Sequence, residues 1–272
     1  MLSGPFGTPA DTLAYLLLLV VALSVWRLMW RGRPAPAVRR GATLLVGHRG
    51  TRGALPENTL AAFRYALEAG LDGIEFDVRR TLDGVLVIRH DRLVDGFPVS
   101  AQTRHELRER LPSLATLDEL FALAGSYPGR LLNLEIKTEG VRTGGLERDV
   151  VRAVVASGLA GQVLISSFNP LSLARVRLRS PRLRVALLYE ASSTRRAGGH
   201  PLSGWLHVDA VHPAAALVAQ RLVRAAHTRG VAVNVWTVND EADIRRLRAL
   251  GVDAIMGDDP ETLLSSARGG QE

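Results

Sequence analysis

The sequence predicts an α/β fold: a closed barrel of eight parallel strands alternating with helices, (β/α)8, behind one N-terminal transmembrane helix. Three observations carry this. From Thr43 onward, about eight short, nearly uninterrupted apolar runs alternate with amphipathic runs of helical period, the pattern of a parallel sheet covered by helices. The chain has 272 residues, room for one barrel domain of about 250 residues and a short extension. Before the barrel, Thr12 to Trp26 is an unbroken apolar run. A doubly wound open sheet fits less well, because it has fewer strands and a glycine-rich first turn.

The elements follow in order. Arg27 interrupts the apolar run and Leu28, Met29 and Trp30 extend it, to about 19 residues with a snorkelling arginine, just enough to cross a bilayer. Trp26 and Trp30 suit the interface. Met1 to Asp11 carries no basic side chain, and Ala35-Pro36-Ala37 lies far from the apolar stretch, so an uncleaved anchor over 1–30 is favoured over a cleaved signal peptide. Arg27, Arg31, Arg33, Arg39 and Arg40 follow the span, which places the C-terminal side in the cytoplasm of a single-pass membrane protein, at the inner membrane if the chain is bacterial. Residues 31–42, with Pro34 and Pro36, read as a linker, and 43–268 as the barrel domain.

Strands are expected at 43–47, 72–78, 131–137, 163–168, 183–189, 208–212, 231–238 and 253–257, with an extra extended segment at 85–89 after the Asp83-Gly84 turn. Helices are expected over 58–70, 117–124, 146–158, 171–179, 218–230, 241–251 and 260–267. From His90 to the helix at Leu117 the chain reads as an almost direct connection, and 190–204 as a polar loop.

Composition narrows the chemistry. No cysteine is present, so disulfides and thiolate metal sites are excluded and any metal is held by oxygen or imidazole. The net charge of +7 is almost all arginine, and Lys137 is the sole lysine. Aromatics are sparse and no basic-aromatic stretch appears, so no nucleic-acid partner is expected. The surplus suits an anionic membrane surface better.

Polar groups sit where barrel chemistry belongs, at the C-terminal ends of strands. His48 and Arg49 follow strand one; Glu75 and Asp77, two apart near the end of strand two, share a face; His90 ends the extra segment; Glu135 and Lys137 share a face at the end of strand three; Trp236 ends strand seven; Asp258 and Asp259 follow strand eight. Three carboxylates together are costly unless a cation joins them, and such a set suits Mg2+ or Ca2+. His48 and His90 supply an acid and a base near neutral pH. Arg49 and Lys137 supply charge for a phosphate. Together these residues point to metal-assisted phosphoryl transfer.

At these residues the chain resembles the glycerophosphodiester phosphodiesterase family. The resemblance runs through GHRGTRGALPENTLAAFRYALEAGLDGIEFDVRRTLDGVLVIRHD (47–91), LNLEIK (132–137), SSFNP (166–170), VAVNVWTVND (231–240) and GVDAIMGDDP (251–260). It implies a TIM barrel hydrolysing glycerophosphodiesters to sn-glycerol 3-phosphate and an alcohol. It further implies His48 and His90 as the acid/base pair, and Glu75, Asp77 and Glu135 as ligands of one divalent cation, Ca2+ or Mg2+. Arg49 and Lys137 match phosphate contacts, Trp236 an aromatic wall for the glycerol, and Glu57 and Asn58 the turn shaping the first loop. Two departures stand out. The stretch after His90-Asp91 is shorter than the family's usual lid, and Gly257 replaces a usual threonine. A short lid and a membrane tether suggest an alternative substrate, lysophospholipids cleaved in the manner of a lysophospholipase D.

Overall fold

The computed structural model of the chain describes residues 9–33, 42–138, 140–191 and 202–268. Eight strands form the barrel: β1 (Leu44–Gly47), β2 (Gly73–Arg80), β6 (Leu131–Ile136), β7 (Val163–Ser167), β8 (Arg184–Tyr189), β9 (Ala210–Pro213), β10 (Ala232–Val235) and β11 (Ala254–Gly257). Every neighbouring pair among them is parallel, and β1 pairs with both β11 and β2, which closes the cylinder. This is the TIM barrel expected from the sequence. The extra segment is β3 (Leu86–Ile88), antiparallel to β2 on the outside.

The apolar runs explain the layering. Alternate residues point inward, where Leu44, Val46, Leu131, Leu164, Ala186, Ala210, Ala232, Ala254 and Met256 fill the barrel. The other face packs against the helices in one large core that includes Phe63, Phe76, Leu120, Val150, Leu173 and Ile244. Small interior residues on successive strands let a narrow barrel close without voids. Helix α2 (Leu60–Glu68) illustrates the sequence logic: the Thr59 hydroxyl accepts from Ala62 N, and one face buries Ala62, Phe63, Ala66 and Leu67. At Gly257 a side chain has no room, since a Cβ would lie 2.5 Å from the Val238 carbonyl oxygen.

The stretch between His90 and Leu117 differs from expectation. It forms a small hairpin, β4 (Leu93–Val94) and β5 (Phe97–Pro98), then a single 3-10 turn and helix α3 (Arg104–Arg110). The hairpin turns at Asp95-Gly96, both at positive φ, and α3 opens with a reciprocal capping box between Thr103 and Glu106. A satellite cluster of Val87, Val94, Val99, Leu107 and Leu114 holds the insert down. Two local signals, Asp-Gly and Thr-x-x-Glu, therefore marked a compact element that a near-direct connection leaves out.

Helix α1 (Pro9–Leu28) contains one stretch, Asp11–Leu28, long and apolar enough to cross a membrane, and none of that stretch is buried. Of the expected linker, residues 34–41, including Ala35-Pro36-Ala37, Arg39 and Arg40, lie outside the described residues, as does most of the expected loop at 190–204. From the end of that loop, Ser203–Leu206 form the short helix α7. Residues 30–33 are bonded to the barrel: Trp30 Nε1 donates to Val208 O at 2.9 Å, Gly32 N to Arg229 O at 2.8 Å, and Arg33 pairs with Asp209 at 2.9 Å.

Candidate active site

The site is assembled at the C-terminal mouth from strand ends and the loops that follow them. Strand alternation puts Glu75 and Asp77 on one face of β2, and the β2–β6 register sets Asp77 beside Glu135. All three are buried, and one oxygen from each lies within 4.8 Å of the others. The turn after β1 is held tightly. Arg49 sits at φ 51° and Asn58 at φ 58°, sparsely populated values for residues with a Cβ. In return Arg49 N donates to Glu75 Oε2 at 2.9 Å, and Asn58 Nδ2 donates to Asp77 Oδ2 at 2.8 Å.

Two cations line the cluster. Lys137 Nζ lies 2.7 Å from Glu135 Oε1 and 3.1 Å from Asp77 Oδ1. The Arg49 guanidinium pairs with Glu57 at 2.8 Å and approaches Asp77 Oδ2 at 3.4 Å. Burial works against Asp77's charge, yet Lys137 and Arg49 hold its pKa below the usual range. The same burial, with Asp77 and Glu135 as like-charged neighbours, pushes Glu75 well above it. Glu135 rises to about 7, through burial first and the Asp77 charge second. Three buried carboxylates with too little positive charge to ionise together are a donor set that fits a hard divalent cation.

The histidines flank this set. His48 Nδ1 lies 2.6 Å from Asp258 Oδ1, and its Nε2 is 4.0 Å from Glu75 Oε2. A carboxylate only accepts, so the proton of the 2.6 Å contact sits on Nδ1 and Nε2 faces the acidic cluster. Asp258 is itself held by Asn239, whose Nδ2 donates to Oδ2 at 2.6 Å. His90 lines a cavity of about 250 Å3 with Glu135, Lys137 and Phe168. Its Nδ1 is 3.1 Å from Asp91 Oδ1. Burial holds the His90 pKa below its ordinary value; Asp91 opposes and Lys137 adds to the lowering. Trp236 packs edge to face on Phe168 with centroids 5.3 Å apart and donates from Nε1 to His212 O at 2.8 Å.

This arrangement sits in a matching chain context: the profile of the glycerophosphoryl diester phosphodiesterase family aligns with residues 48–262. The chain belongs to that family.

The phosphodiesterase is 37% identical over 250 residues to a glycerophosphodiester phosphodiesterase of Caldanaerobacter subterraneus subsp. tengcongensis, covering 84% of this chain and 99% of the relative. It is 30% identical over 245 residues to one from Bacillus altitudinis, with 80% and 96% covered. Among solved structures, a glycerophosphodiester phosphodiesterase from Parabacteroides distasonis superposes with a TM-score of 0.74 at 25% identity, covering 85% and 99% of the two chains. An Oleispira antarctica phosphodiesterase in complex with the product sn-glycerol-3-phosphate gives 0.70 at 25% identity, covering 83% and 97%.

Every residue singled out from the sequence, His48, Arg49, Glu75, Asp77, His90, Glu135, Lys137 and Trp236, lies at or beside the C-terminal mouth of this phosphodiesterase. Two partners lacked an assigned role, Asp258 on His48 and Phe168 against Trp236; Asn58, expected to shape the first loop, also donates to Asp77. Asp258 was legible only as a polar residue after a strand, and Phe168 only as the aromatic end of one. His212, near the end of β9, is fully buried inside the barrel, where Asn234 Nδ2 meets its Nε2 at 3.0 Å. Burial alone lowers its pKa to about 3, so it stays neutral.

Proposed function

We propose that the protein hydrolyses glycerophosphodiesters to sn-glycerol 3-phosphate and an alcohol, with residues 43–268 as the catalytic domain, 1–30 as a membrane anchor and 31–42 joining them. The observation that carries the reading is the convergence of Glu75, Asp77 and Glu135 within 4.8 Å beside His48 and the cavity lined by His90. The three carboxylates would hold one Ca2+ or Mg2+, which supplies Lewis-acid stabilisation of the phosphate's developing negative charge. Arg49 and Lys137 orient the phosphate oxygens, and Phe168 and Trp236 form the wall for the glycerol carbons.

His90 and His48 move the protons. His90, its pKa held down by burial, is neutral near pH 7 and takes the proton from the attacking hydroxyl, either water or the substrate's own 2-hydroxyl. His48, as the imidazolium, protonates the leaving alcohol from Nε2 while its Nδ1–H stays on Asp258. The anchor places the protein in a membrane as a single-pass chain with the barrel on the cytoplasmic side, on the side of the arginines that follow the helix.

The test is turnover of glycerophosphocholine by the full chain and by His48→Ala and His90→Ala. Each variant is expected to lose about 10²–10⁴-fold in rate; near-normal turnover by both ends the proposal. Hydrolysis of lysophosphatidylcholine in preference to glycerophosphocholine would instead support a lysophospholipase D.

A further inference from the structure

The end of α1 is fixed to one particular end of the barrel. Trp26 stacks on His207 with ring centroids 4.0 Å apart, and its Nε1 donates to Trp205 O at 3.2 Å. Trp30, Gly32 and Arg33 bond to Val208, Arg229 and Asp209. These partners lead into β9 and β10, so they belong to the N-terminal rim, opposite the catalytic mouth. The approach is close: a Cβ on Gly32 would lie 2.4 Å from Gly230 O. Four residues after the helix ends the backbone is already held, so little slack remains for the barrel to turn over.

That rim is basic and partly apolar. Arg33 and Arg177 both pair with one buried carboxylate, Asp209. Arg31 donates only to the carbonyls of Leu28 and Trp30, with no carboxylate partner among the described residues. Helices α6 (Pro170–Arg179), α8 (Gln220–His227) and α9 (Glu241–Ala249) each carry two basic residues in the last turn, on the same rim. Helix dipoles account for part of this, including Arg31 on the Leu28 carbonyl that ends α1, but not for the apolar surface beside it. A cleft of about 390 Å3 there is lined by Trp26, Arg31, Arg33, Leu178, Trp205 and His207, and Leu178 is 82% exposed. Guanidinium groups beside indole rings and an exposed leucine, at the foot of an apolar helix, are complementary to an anionic amphiphile.

We propose that this N-terminal rim lies against the bilayer, with the cleft holding the head group of an anionic glycerophospholipid, and that the catalytic mouth therefore faces water and takes water-soluble glycerophosphodiesters rather than lipids within the membrane. The proposal rests on reading α1 as a membrane span and the mouth as the hydrolytic site.

Full-length protein in mild detergent, analysed by native mass spectrometry with added phosphatidylglycerol or phosphatidylcholine, tests the cleft. Phosphatidylglycerol is expected to be retained preferentially, and Arg31→Gln is expected to cut its retention about fivefold, the weight of one arginine at an anionic surface. Leu178→Asp, on an exposed position, is expected to reduce it too, with hydrolysis in detergent unchanged for both. Equal retention of the two lipids, or no effect of either variant, overturns the docking site. In proteoliposomes, glycerophosphocholine is expected to be cleaved faster than lysophosphatidylcholine embedded in the bilayer; the reverse order overturns the orientation. Release of the full chain by alkaline carbonate removes the span on which the orientation depends, and absence of hydrolysis of both substrates removes the catalytic reading, so each failure is told apart.

Discussion

His48 and Asp258, 210 residues apart, meet through a 2.6 Å contact between Nδ1 and Oδ1. Asp258 is partly buried and held in turn by Asn239, so its effect is to fix one tautomer and one orientation of the imidazole. Asp258→Asn is expected to reduce kcat on the order of 10²-fold, because an amide can present either a donor or an acceptor to Nδ1. KM is expected to stay near its original value and the pH–rate profile to change shape, with partial recovery in Asp258→Glu. Steady-state kinetics across pH on glycerophosphocholine reads all three; a loss confined to KM contradicts the positioning role.

Glu135 and Asp77 face each other across the β2–β6 pair, and their repulsion is part of what raises Glu135. In metal-free protein, Glu135→Gln is therefore expected to raise the melting temperature, by about 2–4 °C for each kcal/mol of repulsion relieved. The same variant is expected to lose divalent-ion binding and activity. Calorimetric melts with and without chelator check both halves, and a variant that melts lower when metal-free and still responds to metal contradicts them.

Asp209 anchors Arg33 and Arg177 on the N-terminal rim and also accepts from Val185 N at 3.0 Å. Burial opposes its ionisation, but the Arg33 and Arg177 contacts win and hold its pKa below the usual value. A depressed folded pKa contributes stability that is complete above the unfolded value of about 3.9 and fades as pH falls through the folded value. Melts between pH 6 and pH 2.5 are expected to show a steeper loss below pH 4 for the wild type than for Asp209→Asn. That variant is expected to be destabilised at pH 7 by about 3–5 kcal/mol, the cost of leaving buried cations without their partner. Parallel melting curves for the two proteins contradict the assignment.

Phe168 and Trp236 form an edge-to-face pair at the mouth, with Phe168 partly exposed. Phe168→Ala is expected to raise KM for glycerophosphocholine roughly 2–10-fold, the range of an aromatic contact, with kcat little changed because the wall binds ground and transition states alike. A fall in kcat at constant KM contradicts a wall and indicates a part in the chemistry.

Much of this molecule is legible in one dimension. The barrel strands are read from apolar runs, and Glu75 and Asp77 are placed on one face by the two-residue period alone. What escapes is of two kinds. Helix α3 buries only Leu107 among charged residues, so no apolar stripe announces it and only the Thr103 and Glu106 cap gives it away. The contacts His48–Asp258, Asn58–Asp77 and Trp30–Val208 join residues 210, 19 and 178 positions apart. Only the closure of the barrel brings the first pair together, and only the docking of the N-terminal segment brings the last. His212 sits near a strand end as the site residues do, but its inward direction in a closed barrel leaves it sealed in the core.

The hydrolysis proposed above needs Glu75, Asp77 and Glu135 to bind one divalent ion together. Crystals of the full-length protein soaked in Mn2+, standing in for Mg2+, and measured at the manganese edge test it directly. One anomalous peak is expected, bounded by those three carboxylates at about 2.0–2.6 Å from each and lost in Asp77→Asn. A site with no peak in crystals that still hydrolyse glycerophosphocholine, or a peak coordinated by other residues, contradicts it.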